Sequence, residues 1–130
     1  METSGSIRVA CASNSADCLD GHFGNCTQFL IYQVSTQGAT LIETRKVNDL
    51  DADDKSDYRA ALISDCDIVY LCDIGGPAAA KVIKTGVFPV KQPAQTAAGV
   101  MEQLRTRLAD KPAPWLVKIM HERQQDCTVN

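Results

Sequence analysis

A chain of 130 residues that is 45% hydrophobic and 22% charged has enough apolar material for one packed core and too little length for two ordinary domains. Its formal charge is -3, and its 13 Lys and Arg are scattered rather than gathered into a stripe, which argues against nucleic acid as a partner. No apolar run is long enough to span a bilayer, and METSGSIRVA lacks the basic-then-apolar pattern of a secretory leader; the expectation is a cytoplasmic protein with no membrane partner.

The first six residues carry no functional weight. IRVACA, Ile7 to Ala12, is short, apolar and β-prone and predicts the first strand. It runs into SNSADCLDGHFGNC, whose Ser, Asn, Asp and Gly content predicts a long loop ending at Cys26. QFLIYQV reads as a second strand, TQG as a turn, and ATLIETRKV as a third strand, with Leu41, Glu43, Arg45 and Val47 in rough alternation; together they predict a hairpin. NDLDADDKSD places acids and Asp caps before YRAALIS, so a helix is predicted from Asp53 or Asp54 to about Asp65. DIVYLC is almost continuously apolar, as in a central strand covered on both faces.

IGGPAAAKVIKTG then carries a tight turn, a proline suited to the first helical turn, an Ala-rich body and a terminal Gly86, predicting strand, turn and helix in succession. VFPV, interrupted by Pro89, predicts a short edge strand. Ala97, Met101, Leu104 and Leu108 share one helical face and predict a last helix from about Thr96 to before Pro112. The order β-β-β-α-β-α-β-α implies an α/β fold, a mixed sheet with helices on its faces, over residues 7–118. Residues 119–130 are expected to form a flexible polar tail, while Trp115 and Leu116 are placed to dock back on the core.

The chemistry-bearing residues are few. The six cysteines form no CxxC or CxxxCxxC arrangement, which argues against a built-in zinc ribbon or ferredoxin-type cluster. In a reducing compartment they are expected to be thiols, with Cys11, Cys66 and Cys72 as small core residues. If the first strand is parallel to DIVYLC, the loops starting at Ser13 and Asp73 leave the same end of the sheet, and His22, Asn14, Gly75 and Gly76 border one concave site. Imidazole binds iron, zinc, copper or molybdenum through one nitrogen, and backbone amides at Gly75 and Gly76 suit an anion. Both features also have ordinary structural readings, a surface histidine and a common turn into a helix. A Cys26 nucleophile paired with His22 lacks a third group, strand carboxylates for a metal nuclease are missing, and P-loop and dinucleotide fingerprints are absent.

DGHFGNCTQFLIYQV, followed by IGGPAAAKVIKTGVFPVK and a final PWLVK, resembles the dinitrogenase iron-molybdenum cofactor binding family over about Ile7 to Lys118. These are NifX-, NifY- and NafY-type nitrogenase accessory proteins, the last corresponding to the dinitrogenase gamma subunit core domain. The resemblance implies a ribonuclease-H-like mixed five-stranded sheet, no enzymatic activity, and a carrier or chaperone role in nitrogenase maturation. The implied cargo is the iron-molybdenum cofactor (FeMo-co) or its iron-sulfur precursor, held for apo-dinitrogenase and other nitrogenase assembly proteins. The family's HFG histidine falls on His22, flanked by Gly21, Phe23 and Gly24, and its IGGPAA turn on Ile74 to Ala79. Asn14, Cys18 and Cys26 join the candidate site by proximity in sequence alone, and His121 with Cys127 as a possible auxiliary pair. His22 is expected to be mobile in a glycine-flexed loop and to be the metal ligand. The gamma-type proteins carry a further amino-terminal domain, and the three-cysteine signature of a radical enzyme is missing here. An alternative role is an interaction module that stabilises apo-dinitrogenase with little cluster binding of its own.

Overall fold

The structure is a computed structural model that describes residues 6–110, apart from 16, 49, 51 and 52, together with 114 and 118. The expectations for Trp115, Leu116, His121, Cys127 and the tail lie outside the described residues. Ten elements follow in chain order: β1 (Ile7–Ser13), β2 (Cys18–Leu19), β3 (Gln28–Ser35), β4 (Gly38–Lys46), α1 (Lys55–Leu62), β5 (Ile68–Leu71), α2 (Gly76–Lys84), β6 (Phe88–Lys91), β7 (Gln95–Thr96) and α3 (Ala97–Ala109).

A mixed five-stranded sheet runs β4-β3-β1-β5-β6, with β1 antiparallel to β3 and parallel to β5, and β5 parallel to β6. The α/β class and the five expected strands are present. Sequence reading did not foresee β2 and β7, which pair antiparallel and fasten the long loop to the start of α3. A two-residue ladder leaves no periodicity to detect. It is reinforced by the Ala97 amide, which donates to the Asp17 carbonyl at 2.9 Å.

Period-two alternation divides the sheet between two cores. Ile7, Val9 and Cys11 of β1, with Leu30, Tyr32, Val34, Ile68 and Tyr70, pack under the Ala97, Val100, Met101, Leu104 and Leu108 face of α3. Ala10 and Ala12, with Phe29, Ile31, Val69 and Leu71, meet Ala60 and Ile63 from the α1 segment and Val82 of α2 on the other face. That both faces of β5 are covered explains its unbroken apolar run. The alternation expected along β4 does not produce a buried face: Leu41 and Ile42 remain 47% and 46% exposed. β4 is an edge strand, and its register against β3 shifts between Ile31 and Tyr32.

Local chemistry sets the helix ends. Asp54 caps α1 by accepting from the Asp57 amide at 3.0 Å, and the same carboxylate receives Lys81 of α2 at 2.6 Å. Thr96 caps α3 through the Gly99 amide at 3.2 Å. Gly86, at φ 95, turns the chain from α2 toward β6 in a conformation that favours glycine.

Past the end of α1, Asp65 gathers two arginines from the sheet, Arg45 at 2.7 Å and Arg8 at 2.9 Å. The Arg45 hydrogen bonds hold the Asp65 carboxyl well below the usual carboxylate range. A depressed carboxyl contributes stability above its unfolded value, near pH 3.9, that is lost as pH falls below it. Asp65→Asn is therefore expected to cost on the order of 1 kcal/mol at pH 7, a figure discounted because the side chain is 45% exposed, and to flatten the acid limb of a urea-unfolding pH series. An unchanged acid limb in the variant would show that the network contributes nothing net.

Candidate functional site

The parallel pairing of β1 with β5 brings their carboxyl ends together. Between those ends lies the segment Gly21–His22–Phe23. The Gly21 amide donates to the Ala12 carbonyl at 3.1 Å, the Cys72 amide to the Gly21 carbonyl at 2.9 Å, and the Phe23 amide to the Asp73 carbonyl at 2.9 Å. His22 is thus bridged in parallel to Asp73. Next, the chain closes a tight turn in which the His22 carbonyl accepts from the Asn25 and Cys26 amides at 3.2 and 2.9 Å.

The two glycines that flank His22 and Phe23 differ in what surrounds them. Gly21 is needed for close approach: a Cβ there would stand 2.6 Å from the Cys26 Cβ and 3.0 Å from backbone atoms of Ala12 and Ser13. Gly24, by contrast, faces open space. Phe23 is fully buried and meets the Phe29 ring at a centroid distance of 5.8 Å. Phe23 anchors the turn from beneath, while His22 between the anchors stays exposed.

A buried arginine holds the turn from inside. Arg59 of α1 is 5% exposed. Its Nη1 donates to the Phe23 and Cys26 carbonyls at 2.9 and 2.8 Å and lies 3.4 Å from the Cys26 Sγ. Burial pushes the Cys26 thiol up, and the Arg59 charge and hydrogen bond only partly offset it. Cys26 therefore sits inside the core between the sheet and the α1 and α2 helices, turned toward Arg59, and the structure does not bring it to an outward-facing site with His22.

Of the other expected residues, Gly75 and Gly76 are well placed. Asp73 is followed by Ile74 and then by Gly75, the N-cap of α2, so the exposed start of that helix adjoins His22. A Cβ on either glycine would meet nothing within 4 Å, so close packing does not explain them. Asn14 is engaged by its own loop. Its Oδ1 accepts from the Thr27 amide at 3.1 Å and its Nδ2 donates to the Asp20 carbonyl at 3.4 Å, which ties it into the β1–β3 loop. Cys18 lies in β2, its thiol toward Asp17 at 3.4 Å, and is a strand residue rather than a partner of His22.

Sequence reading missed three residues. Asp73 and Lys91 stand at the ends of β5 and β6 beside His22. The Asp73 carboxyl is held below its usual value chiefly by the Ile74 amide, then by the Lys91 charge, with His22 adding a smaller part. The Asp73 Oδ1 accepts from Ile74 at 2.8 Å and pairs with Lys91 at 3.5 Å. Only the parallel register juxtaposes these groups. Arg59 left a weak signal, since it stands four residues before the buried Ile63 and so on the same helical face. Among the described residues no three His, Cys, Asp or Glu side chains converge to hold a metal ion. The site therefore offers one exposed imidazole, a helix start with free amides and a lysine, an arrangement suited to holding an anionic metal species by a single protein ligand.

Residues 5–107 match the family model described as dinitrogenase iron-molybdenum cofactor. The chain is 47% identical over 117 residues to Protein NifY of Azotobacter vinelandii, covering 88% of this chain and 48% of that protein. It is 30% identical over 123 residues to Protein NifX of Rhodobacter capsulatus, covering 88% of this chain and 77% of that one. It thus spans about half of that NifY and about three quarters of that NifX. Among solved structures, the crystal structure of PH0822 matches with a TM-score of 0.64 at 18% identity, over 76% of this chain and 90% of that one, a likeness of fold.

The turn's construction sets two expected outcomes. Gly21→Ala should destabilise by about 1–3 kcal/mol, because the added methyl meets backbone as well as Cys26. Arg59→Met should cost about 2–4 kcal/mol by leaving the Phe23 and Cys26 carbonyls buried without their donor. Urea unfolding measures both, and a loss under 0.5 kcal/mol, roughly the effect of a neutral surface change, would show that the turn is not held in this way.

Proposed function

The chain belongs to the dinitrogenase iron-molybdenum cofactor family, and from that premise we propose that it is a non-enzymatic accessory protein of nitrogenase maturation. In this reading it carries the iron-molybdenum cofactor, or its iron-sulfur precursor, as transient cargo for apo-dinitrogenase and other assembly proteins. The observation that carries the reading is the position of His22: exposed, yet fastened between the ends of β1 and β5 and bridged to the residue that leads into α2.

An anionic cluster approaching His22 meets the amide-rich start of α2 at Gly75 and Gly76 and the Lys91 ammonium at the neighbouring strand end. Asp73 opposes that attraction, but its carboxylate already accepts from Ile74 and Lys91. His22 supplies one metal–nitrogen bond, and a bond of that kind can be surrendered to a recipient offering more ligands. Cys26, the thiol nearest in sequence, is buried and its ionisation disfavoured, which counts against both a thiolate ligand and a cysteine nucleophile at this position.

Anaerobic titration of isolated iron-molybdenum cofactor, followed by gel filtration and the cluster's electron paramagnetic resonance signal, tests the reading. The native protein should bind stoichiometrically. His22→Ala should lose at least about tenfold in affinity, equivalent to about 1.4 kcal/mol, with its thermal midpoint unchanged because the side chain is exposed. Equal binding by both proteins would remove His22 as the ligand. Absence of binding by either, with co-purification of apo-dinitrogenase, would favour the interaction-module role.

A further inference from the structure

A second recess lies at the same end of the sheet, on the β1–β3–β4 side. It is open to solvent, has a volume of about 380 Å³, and is lined by Asn14, Ser15, Thr27, Gln28, Thr44 and Lys46. The strand register builds it. Gln28 is paired with Lys46, and Leu30 with Thr44, so Gln28, Thr44 and Lys46 rise on the face of the sheet where Leu30 packs with α3. The loop after β1 forms the opposite wall, drawn over Gln28 by a hydrogen bond from its Nε2 to the Ser15 carbonyl.

Most polar groups around this recess are already used by the fold. Asn14 is bonded to Thr27 and Asp20, and the Thr27 hydroxyl donates to the Ser13 carbonyl at 3.3 Å. Both Asp20 carboxylate oxygens accept from the loop itself, from the Asn14 amide at 2.7 Å and the Ser15 hydroxyl at 3.0 Å. Glu43 pairs with Arg45 at 3.0 Å. Three groups are left over. Among the described residues the solvent-exposed Lys46 ammonium and Thr44 hydroxyl have no side-chain partner, and neither does the Oε1 of Gln28, a residue only 6% exposed. That oxygen is not among the buried atoms left without a partner, and Gln28 is one of the residues lining the recess.

A cation and a hydroxyl donor beside a fixed amide acceptor complement one small chemical pattern. A carboxylate accepts from Lys46 and Thr44, and an adjacent hydroxyl donates to Gln28. The volume is at the lower end of ligand-binding pockets and the lining is polar, which suits a molecule of a few carbons rather than an aliphatic one. We propose that this recess is a binding site for a small hydroxycarboxylate, distinct from the His22 site and independent of the carrier reading. The two sites are neighbours: Thr27, on the wall of the recess, directly follows the turn that closes at Cys26.

Citrate serves as the probe, added to the uniformly nitrogen-15-labelled native chain and followed by backbone amide shifts. Saturable shifts are expected at Asn14, Ser15, Thr27, Gln28, Thr44 and Lys46. Lys46→Gln should weaken binding about tenfold or more, the worth of one charge-assisted hydrogen bond, and Thr44→Val by a few-fold. Tricarballylate, which keeps the three carboxylates of citrate and lacks the hydroxyl, should bind more weakly than citrate. His22→Ala and Lys84→Gln, the latter an exposed lysine on α2, should leave the titration unchanged. The proposal is overturned by non-saturable shifts, by Lys46→Gln binding as the native chain does, by tricarballylate matching citrate, or by equal loss in Lys84→Gln, the mark of general charge attraction. Loss of citrate binding in His22→Ala would also overturn it, by moving the ligand to the turn. None of these outcomes touches the cofactor titration with His22.

Discussion

Three residues spliced between the ends of two parallel strands set the geometry of this end of the molecule. Gly21 to Phe23 hydrogen-bonds to the end of β1 on one side and to the end of β5 on the other, continuing the sheet where its strands would otherwise diverge into loops. Such a splice is possible only where the segment can lie flat against the β1 backbone, which is why no side chain fits at Gly21. Once it is in place, His22 must stand beside Asp73, and Asp73 leads directly into the α2 helix. A histidine and a glycine turn more than fifty residues apart in the chain thereby become neighbours through backbone bonds alone.

The splice depends in turn on a buried charge. Taking a guanidinium out of water is costly unless its donors are used, and Arg59 directs its Nη1 to two carbonyls of the turn. Those carbonyls face inward because Phe23 and Cys26 are packed into the core between the sheet and the α1 and α2 helices, so they too need donors. Each side of the interaction removes a penalty that the other would carry alone. The same packing keeps the Cys26 thiol protonated beside a cation that would otherwise favour its thiolate. Apolar burial wins, and a residue that looks reactive in the sequence becomes a structural one.

Much of the fold was legible in the chain because it is written in short-range patterns. β1, β3 and β5 are apolar runs, Asp54 and Thr96 are caps, and Pro77 with Gly86 bounds the second helix. The parallel β1–β5 relation stood in the sequence only as a condition for a shared site, and the strand register meets it. What was not legible depends on register. Cys26, two residues from an exposed glycine, gives no sign of which way it faces; Asn14 belongs to the loop's own hydrogen-bond network; Lys91 meets Asp73 only because β5 and β6 are aligned. Composition also could not separate the two glycines of the HFG loop: glycine marks close approach as readily as freedom, and only the neighbouring Ala12, Ser13 and Cys26 atoms show that Gly21 is the first kind, whereas Gly24 faces open space.

A fixed turn changes how a carrier would use a single ligand. A mobile loop would lose conformational entropy each time it captured its cargo, at about 1–2 kcal/mol for every backbone residue ordered. Here that ordering has already been supplied by folding, through Arg59, Phe23 and the bonds to Ala12 and Asp73. On the carrier reading proposed above, capture by one imidazole would need no such reorganisation, and release would break a single bond. A closed cage of several ligands would gain affinity but slow the exit, and a floppy histidine would release quickly but seldom capture. A rigid turn bearing one exposed imidazole, beside amides and a lysine that attract an anion without bonding covalently to it, satisfies both requirements at once.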